Sequence, residues 1–126
     1  MAEAGNKDLK DRTKKFSLLV IKFITSLPYS ETKNVLGKQL LRSATSVAAN
    51  YRSACRGRSR AEFVAKLGIV LEEADESVLW LELFIESGIA NTETAQKLLK
   101  EANELTAIFT SSIKTSKGIN KSTVTQ

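Results

Sequence analysis

Residues 59–89 read SRAEFVAKLGIVLEEADESVLWLELFIESGI, and the spacing of their apolar members decides the fold. Phe63, Val64, Leu67, Val70, Leu71, Ala74, Val78, Leu81, Phe84 and Ile85 recur at steps of three and four, which puts them on one side of an α-helix. Ser59 with Glu62 three residues on is a capping box: the hydroxyl takes an orphan N–H and the carboxylate reaches back for another. Gly88 followed by Ile89 supplies a glycine stop with its hydrophobic contact. The pattern predicts one helix over about residues 60–87.

The same reading extends outward. Upstream, Gly57 is the expected stop of a second helix, placed where a left-handed residue would sit. That helix, over about 31–56, starts at Ser30 as cap, with Glu31 favourable in its first turn. It carries two apolar stripes. One is Val35, Leu36, Leu40, Val47, Tyr51 and Ala54; the other is Leu41, Ala44, Ala48 and Cys55. Two stripes imply two neighbours. Before it, Leu9, Phe16, Leu19, Val20, Phe23, Ile24 and Leu27 outline a helix over about 7–27. Pro28 ends it, because the residue before a proline is pushed out of helical geometry. Met1–Gly5 are expected to fray. Downstream, Asn91 or Thr92 caps a helix over about 92–116. Its stripe is Ala95, Leu98, Leu99, Ala102, Leu105, Ile108, Phe109 and Ile113. Gly118 is expected to stop it and leave 118–126 as a disordered tail.

Strand patterning and hairpin dipeptides are missing, and there is one proline. Four helices with short connections give an all-α fold, an antiparallel up-and-down four-helix bundle about 35 Å long, formed by residues 1–126 as a single domain. A chain of 126 residues can bury enough surface to need no covalent staple, and its one cysteine, Cys55, cannot form an internal disulfide. Leu18-Leu19-Val20-Ile21 is far too short to span a bilayer. These features point to a cytoplasmic protein with no membrane partner.

Charge is unevenly placed. Residues 33–66 carry eight Lys/Arg against one acid, Glu62, whereas residues 67–104 carry nine acids against Lys97 and Lys100. If helices two and three form an antiparallel hairpin, residues whose numbers sum to about 115 lie level. Arg42 then meets Glu73, with Glu76 close by. Ser46 and Val47 meet Gly68. A glycine inside a helix costs about 1 kcal/mol against alanine, which close backbone approach at Gly68 and the small Ser46 would offset. Asn50, one turn after Val47, needs a hydrogen-bond partner. Arg42, Glu73 and Glu76 read as an ion pair that fixes register, or with Arg42 as a phosphate holder. Asn50 reads as a register or assembly residue, or as a core asparagine with a local partner.

Gln39 to Ala54 (QLLRSATSVAANYRSA), Phe63 to Ile69 (FVAKLGI), Glu73 to Ser77 (EADES) and Trp80 to Leu83 (WLEL) together carry a resemblance. They resemble the bacterial four-helix-bundle proteins encoded within intervening sequences of 23S ribosomal RNA genes. The likeness spans about residues 10 to 110 and rests on Arg42-Ser43-x-x-Ser46-x-x-x-Asn50 together with Glu73-Ala74-x-Glu76. Tyr51-Arg52-Ser53-Ala54 departs from the isoleucine, variable residue and Glu-Gly that many relatives carry. The resemblance implies a homopentameric ring of unassigned function. It also brings in the related accessory proteins of diversity-generating retroelements, basic pentamers that associate with nucleic acid and a reverse transcriptase. It implies no enzyme.

The residues agree on that last point. Histidine is absent, which removes the commonest general base and zinc ligand. Glu72, Glu73, Asp75 and Glu76 have no facing carboxylates on helix two, so neither a metal nor another cofactor is expected. Ser43 and Ser46 lack a base, so no catalytic residue is assigned. Arg52, Arg56, Arg58, Arg60 and Lys66 crowd the turn between helices two and three. They form the candidate nucleic-acid site, a local positive field that would attract RNA or DNA phosphates. Alternatives are a solvated basic turn, an acidic protein partner, or a protein-interaction scaffold whose charge asymmetry serves self-assembly. Trp80 is read as core or interface, and Cys55 as a small apolar filler.

Overall fold

A computed structural model describes the backbone of residues 3–125, with side chains described for 7–117. Four helices follow one another: α1 (Glu3–Ser26), α2 (Glu31–Cys55), α3 (Arg60–Glu86) and α4 (Glu93–Thr125). Consecutive helices pack together, most extensively α2 with α3, and a lighter α1–α4 contact closes the square. Among the described residues neither diagonal pair touches, as expected of an up-and-down bundle.

Local sequence explains the helix ends. Ser30 is extended and its hydroxyl accepts the Lys33 N–H at 3.0 Å. Thr92, rather than Asn91, accepts the Ala95 N–H at 3.1 Å and caps α4. Gly88 takes φ +83°, and the Ala90 N–H then reaches the Phe84 carbonyl at 2.9 Å, closing the last turn of α3. Gly118 does not stop α4. The helix runs on to Thr125, because one interior glycine costs only about 1 kcal/mol and no proline follows it. Gly5, expected to fray, lies in the first turn of α1. Met1, Ala2 and Gln126 lie outside the described residues.

The core is drawn from all four stripes: Phe16, Val20 and Phe23 on α1; Leu40, Val47 and Tyr51 on α2; Leu67, Val70, Leu81 and Phe84 on α3; Leu98, Leu105 and Phe109 on α4. Phe23 meets Phe84 edge-on with centroids 5.5 Å apart, and Tyr51 meets Phe109 at 5.6 Å. Leu19, Val35 and Leu41, placed on stripes by spacing, are exposed. The stripes are wider than the seam available to bury them.

Polar groups also cross the seams. The Ser17 hydroxyl donates to the Ala44 carbonyl at 2.9 Å, tying α1 to α2. The Arg12 guanidinium donates to both Glu101 oxygens, at 2.8 and 2.7 Å, and to Glu104 at 2.8 Å, joining α1 to α4. The Glu101 hydrogen bond raises the Arg12 pKa further above its ordinary value; desolvation opposes it, and the Glu101 charge and Glu104 contacts add to it. Spacing within one helix gave no sign of this clamp, because its partners are some ninety residues apart.

Candidate nucleic-acid interface

The α2–α3 turn is held by its own short-range chemistry. Arg56 ends α2 with φ −96° and ψ 6°, and the Gly57 N–H donates to the Ala54 carbonyl at 3.0 Å. Gly57 is not left-handed, contrary to expectation, since Gly88 is the one positive-φ glycine among the described residues. Its lack of a side chain serves space instead: a Cβ there would stand 3.1 Å from the Ala54 carbonyl oxygen and 3.3 Å from the Phe63 nitrogen. Ser59 accepts the Glu62 N–H at 3.1 Å, completing half of the capping box. The Glu62 carboxylate reaches one residue beyond the box and accepts the Arg58 N–H at 2.7 Å.

This fixed turn carries the five expected cations. Arg52, Arg56, Arg58 and Arg60 are exposed and Lys66 is half-buried. Of the five, only Arg58 has a carboxylate partner among the described residues, Glu62 at 3.7 Å. That pair is on the surface, where such contacts contribute little. The other four keep their charge available.

Antiparallel packing brings more cations to this end. The start of α1 lies beside the end of α2, and the end of α4 beside the start of α3. Lys10 and Lys14 share the α1–α2 groove with Arg52, and Lys117 shares the α3–α4 groove with Arg60. Residues 7–15, 43–71 and 101–117 form this half of the bundle and hold twelve Lys/Arg against Asp8, Asp11, Glu62 and the two partners of Arg12, Glu101 and Glu104. Residues 16–42 and 72–100 form the other half, with six Lys/Arg against eight Asp/Glu. The bundle is therefore charged along its axis, with a basic end and a weakly acidic end. Aromatic rings at the basic end are unavailable for stacking: Phe16, Tyr51 and Phe109 are buried, and Phe63 packs on the core.

The second group of singled-out residues lies along the α2–α3 seam. Arg42 Nη1 donates to both Glu73 oxygens at 3.2 Å, and Nη2 donates to Glu76. With the Arg42 side chain 47% exposed, this is a surface bridge between helices. Beneath it, the hydroxyls of Ser43 and Ser77 are fully buried and 2.8 Å apart. Ser43 can also reach the Leu40 carbonyl at 3.2 Å, and Ser77 the Glu73 carbonyl at 3.0 Å. Spacing did not single out Ser77, although it sits one turn after Glu73. Asn50 donates to the Ser46 carbonyl at 2.9 Å, a bond within its own helix. Gly68 is not a point of close approach, since a Cβ there meets nothing within 4 Å. The tight contact is at Gly37, where a Cβ would stand 3.1 Å from Ile24 Cγ2.

Among the described residues no cluster of acids and thiols could hold a metal ion, and no helix is long and apolar enough to cross a membrane. Trp80 is half-buried against the core, with its indole N–H buried and unpartnered. Tyr51 is buried beside Cys55. Burial first, and then the hydrogen bond with Cys55, push its phenol pKa well above the ordinary value.

Comparison with known proteins places this arrangement. The family model described as 23S rRNA-intervening sequence protein matches residues 6–111. A crystal structure of a protein of unknown function from the S23 ribosomal protein family of Bacteroides thetaiotaomicron superposes with a TM-score of 0.77. The two chains are 35% identical, over 84% of this chain and 98% of that one. None of the curated proteins matches this chain.

Proposed function

We propose that this chain, which belongs to the 23S rRNA-intervening sequence protein family, is a non-enzymatic, oligomeric bundle that holds RNA or DNA by its phosphates at the basic end. The observation that carries this reading is the set of cations at the α2–α3 turn that have no carboxylate partner among the described residues: Arg52, Arg56, Arg60 and Lys66, with the lightly paired Arg58. Phosphate contacts depend on charge and carry little sequence information. With no exposed ring at the basic end among the described residues for bases to stack on, binding is backbone-driven and weakly selective. The test is fluorescence anisotropy of labelled RNA and DNA across a salt series. The comparison variant combines Arg52→Ala, Arg56→Ala, Arg58→Ala and Arg60→Ala. Wild type should weaken steeply as salt rises, and the variant's log–log slope should be shallower by about 3. Equal binding by the two proteins removes the proposal.

A second reading, a self-assembling protein scaffold, is supported by the other end of the molecule. Leu79 and Leu83 are 46% and 38% exposed on α3, on a face shared with Glu72, Asp75 and Glu86. An acidic, leucine-bearing face and a basic end are unlike surfaces, and unlike surfaces join head to tail into rings when the rotation closes. The homopentameric ring that the sequence resemblance implies would be an assembly of the same kind. Light scattering decides it: a monomer at low salt and micromolar concentration rules this reading out.

A further inference from the structure

Three neighbouring grooves open at the basic end, one between each pair of consecutive helices. The α1–α2 groove, of about 410 Å³, has Lys10, Lys14 and Arg52 at its rim and Ala48 and Ala49 within it. The α2–α3 groove, of about 380 Å³, has Arg56 and Lys66 with Ala65 and Ile69. The α3–α4 groove, of about 560 Å³, has Arg60 and Lys117 with Ala61 and Val64. The second and third share a wall, and the first lies across α2 from the second. Arg52 faces the first and its neighbour Ser53 the second, while Ala65 lines both the second and the third. The result is a band of seven cations passing around three of the four sides of the bundle.

We infer that this band takes a single-stranded polynucleotide laid across the helices, not a duplex, an inference that rests on the phosphate-binding reading above. Packed helices lie 8–10 Å apart, so successive grooves turn away from one another within a few nucleotides of chain. A duplex stays straight over roughly 150 base pairs and can meet the rims of one or two grooves. A flexible strand can follow all three. The small apolar floors receive sugar and base edges without choosing among bases. Glu62, the one acid lining the three grooves, is engaged by the Arg58 backbone N–H and faces the Arg58 guanidinium. Of the other acids of this half, Glu101 and Glu104 are engaged by Arg12, and Asp8 and Asp11 are exposed on α1.

The test uses the full chain, a labelled oligo(U) strand of about 16 nucleotides and a blunt RNA duplex of equal length. The variant is Lys10→Ala/Lys14→Ala/Lys117→Ala, which leaves all five turn cations in place; helical circular dichroism confirms its fold. The strand should bind wild type about tenfold or more tighter than the duplex. The triple variant should lower the strand's log–log salt slope by about 2. Duplex binding that equals or exceeds strand binding overturns the inference while phosphate binding at the turn stands. An unchanged slope in the variant also overturns it, by confining the contact to the turn. Failure of both ligands to bind removes the inference and the phosphate-binding reading together.

Discussion

Two glycines inside helices give opposite expectations when changed to alanine. Alanine is favoured over glycine in a helix interior by about 1 kcal/mol, mostly through the lost freedom of the unfolded chain. At Gly68 of α3 the new methyl meets no atom within 4 Å, so nothing opposes that gain. Gly68→Ala should stabilise the bundle by about 1 kcal/mol. With a urea dependence of about 2 kcal/mol/M, the unfolding midpoint should rise by about 0.5 M. At Gly37 of α2 the methyl would stand 3.1 Å from Ile24 Cγ2 and 3.9 Å from its Cγ1. Overpacking of this kind costs about 1–3 kcal/mol, which cancels or exceeds the propensity gain. Gly37→Ala should therefore leave the midpoint unchanged or lower it. Urea unfolding followed by circular dichroism measures both. A fall in the midpoint for Gly68→Ala would refute the open space at that position. Equal stabilisation by the two changes would refute the close contact between α1 and α2.

Two further predictions concern buried hydroxyls. Ser77→Ala removes the link to Ser43 but leaves Ser43 its Leu40 carbonyl, so the loss should be about 1 kcal/mol, read from the same urea curves; a loss of several kcal/mol contradicts this. Tyr51 carries a phenol whose pKa is raised in the fold, from an ordinary value of 10.0. Its folded form holds a proton that the unfolded chain releases, so stability is full below pH 10 and is lost as pH rises toward the folded pKa. The decline should approach about 1.4 kcal/mol per pH unit and be absent from that site in Tyr51→Phe. In a Tyr29→Phe variant, tyrosinate absorbance should stay low above pH 10 until the bundle unfolds. Early ionisation there contradicts the buried phenol.

Much of the architecture was legible in linear order. The step of three and four along α3, the Ser30 and Ser59 caps, and the stop at Gly88 are local, because helix hydrogen bonds and caps join residues only a few positions apart. The Arg42 link to Glu73 and Glu76 was also accessible, since a short turn sets the register of the two helices it joins. Gly57 does stand at the stop of α2, but its expected left-handed backbone and the close approach expected at Gly68 are both absent, for one shared reason. A glycine's purpose depends on what surrounds the missing Cβ, and that space belongs to the packed structure.

By itself, the order of residues determined four amphipathic helices, their antiparallel succession and the cluster of arginines at one turn, because each follows from periodicity or from neighbours along the chain. Only the tertiary structure decided that Lys10, Lys14 and Lys117 join that cluster, that Arg12 clamps α1 to α4, and that Ser43 meets Ser77. These contacts depend on how far each helix is rotated about its own axis. That rotation is set when all four apolar stripes compete for one core, a condition no single stretch of the sequence contains.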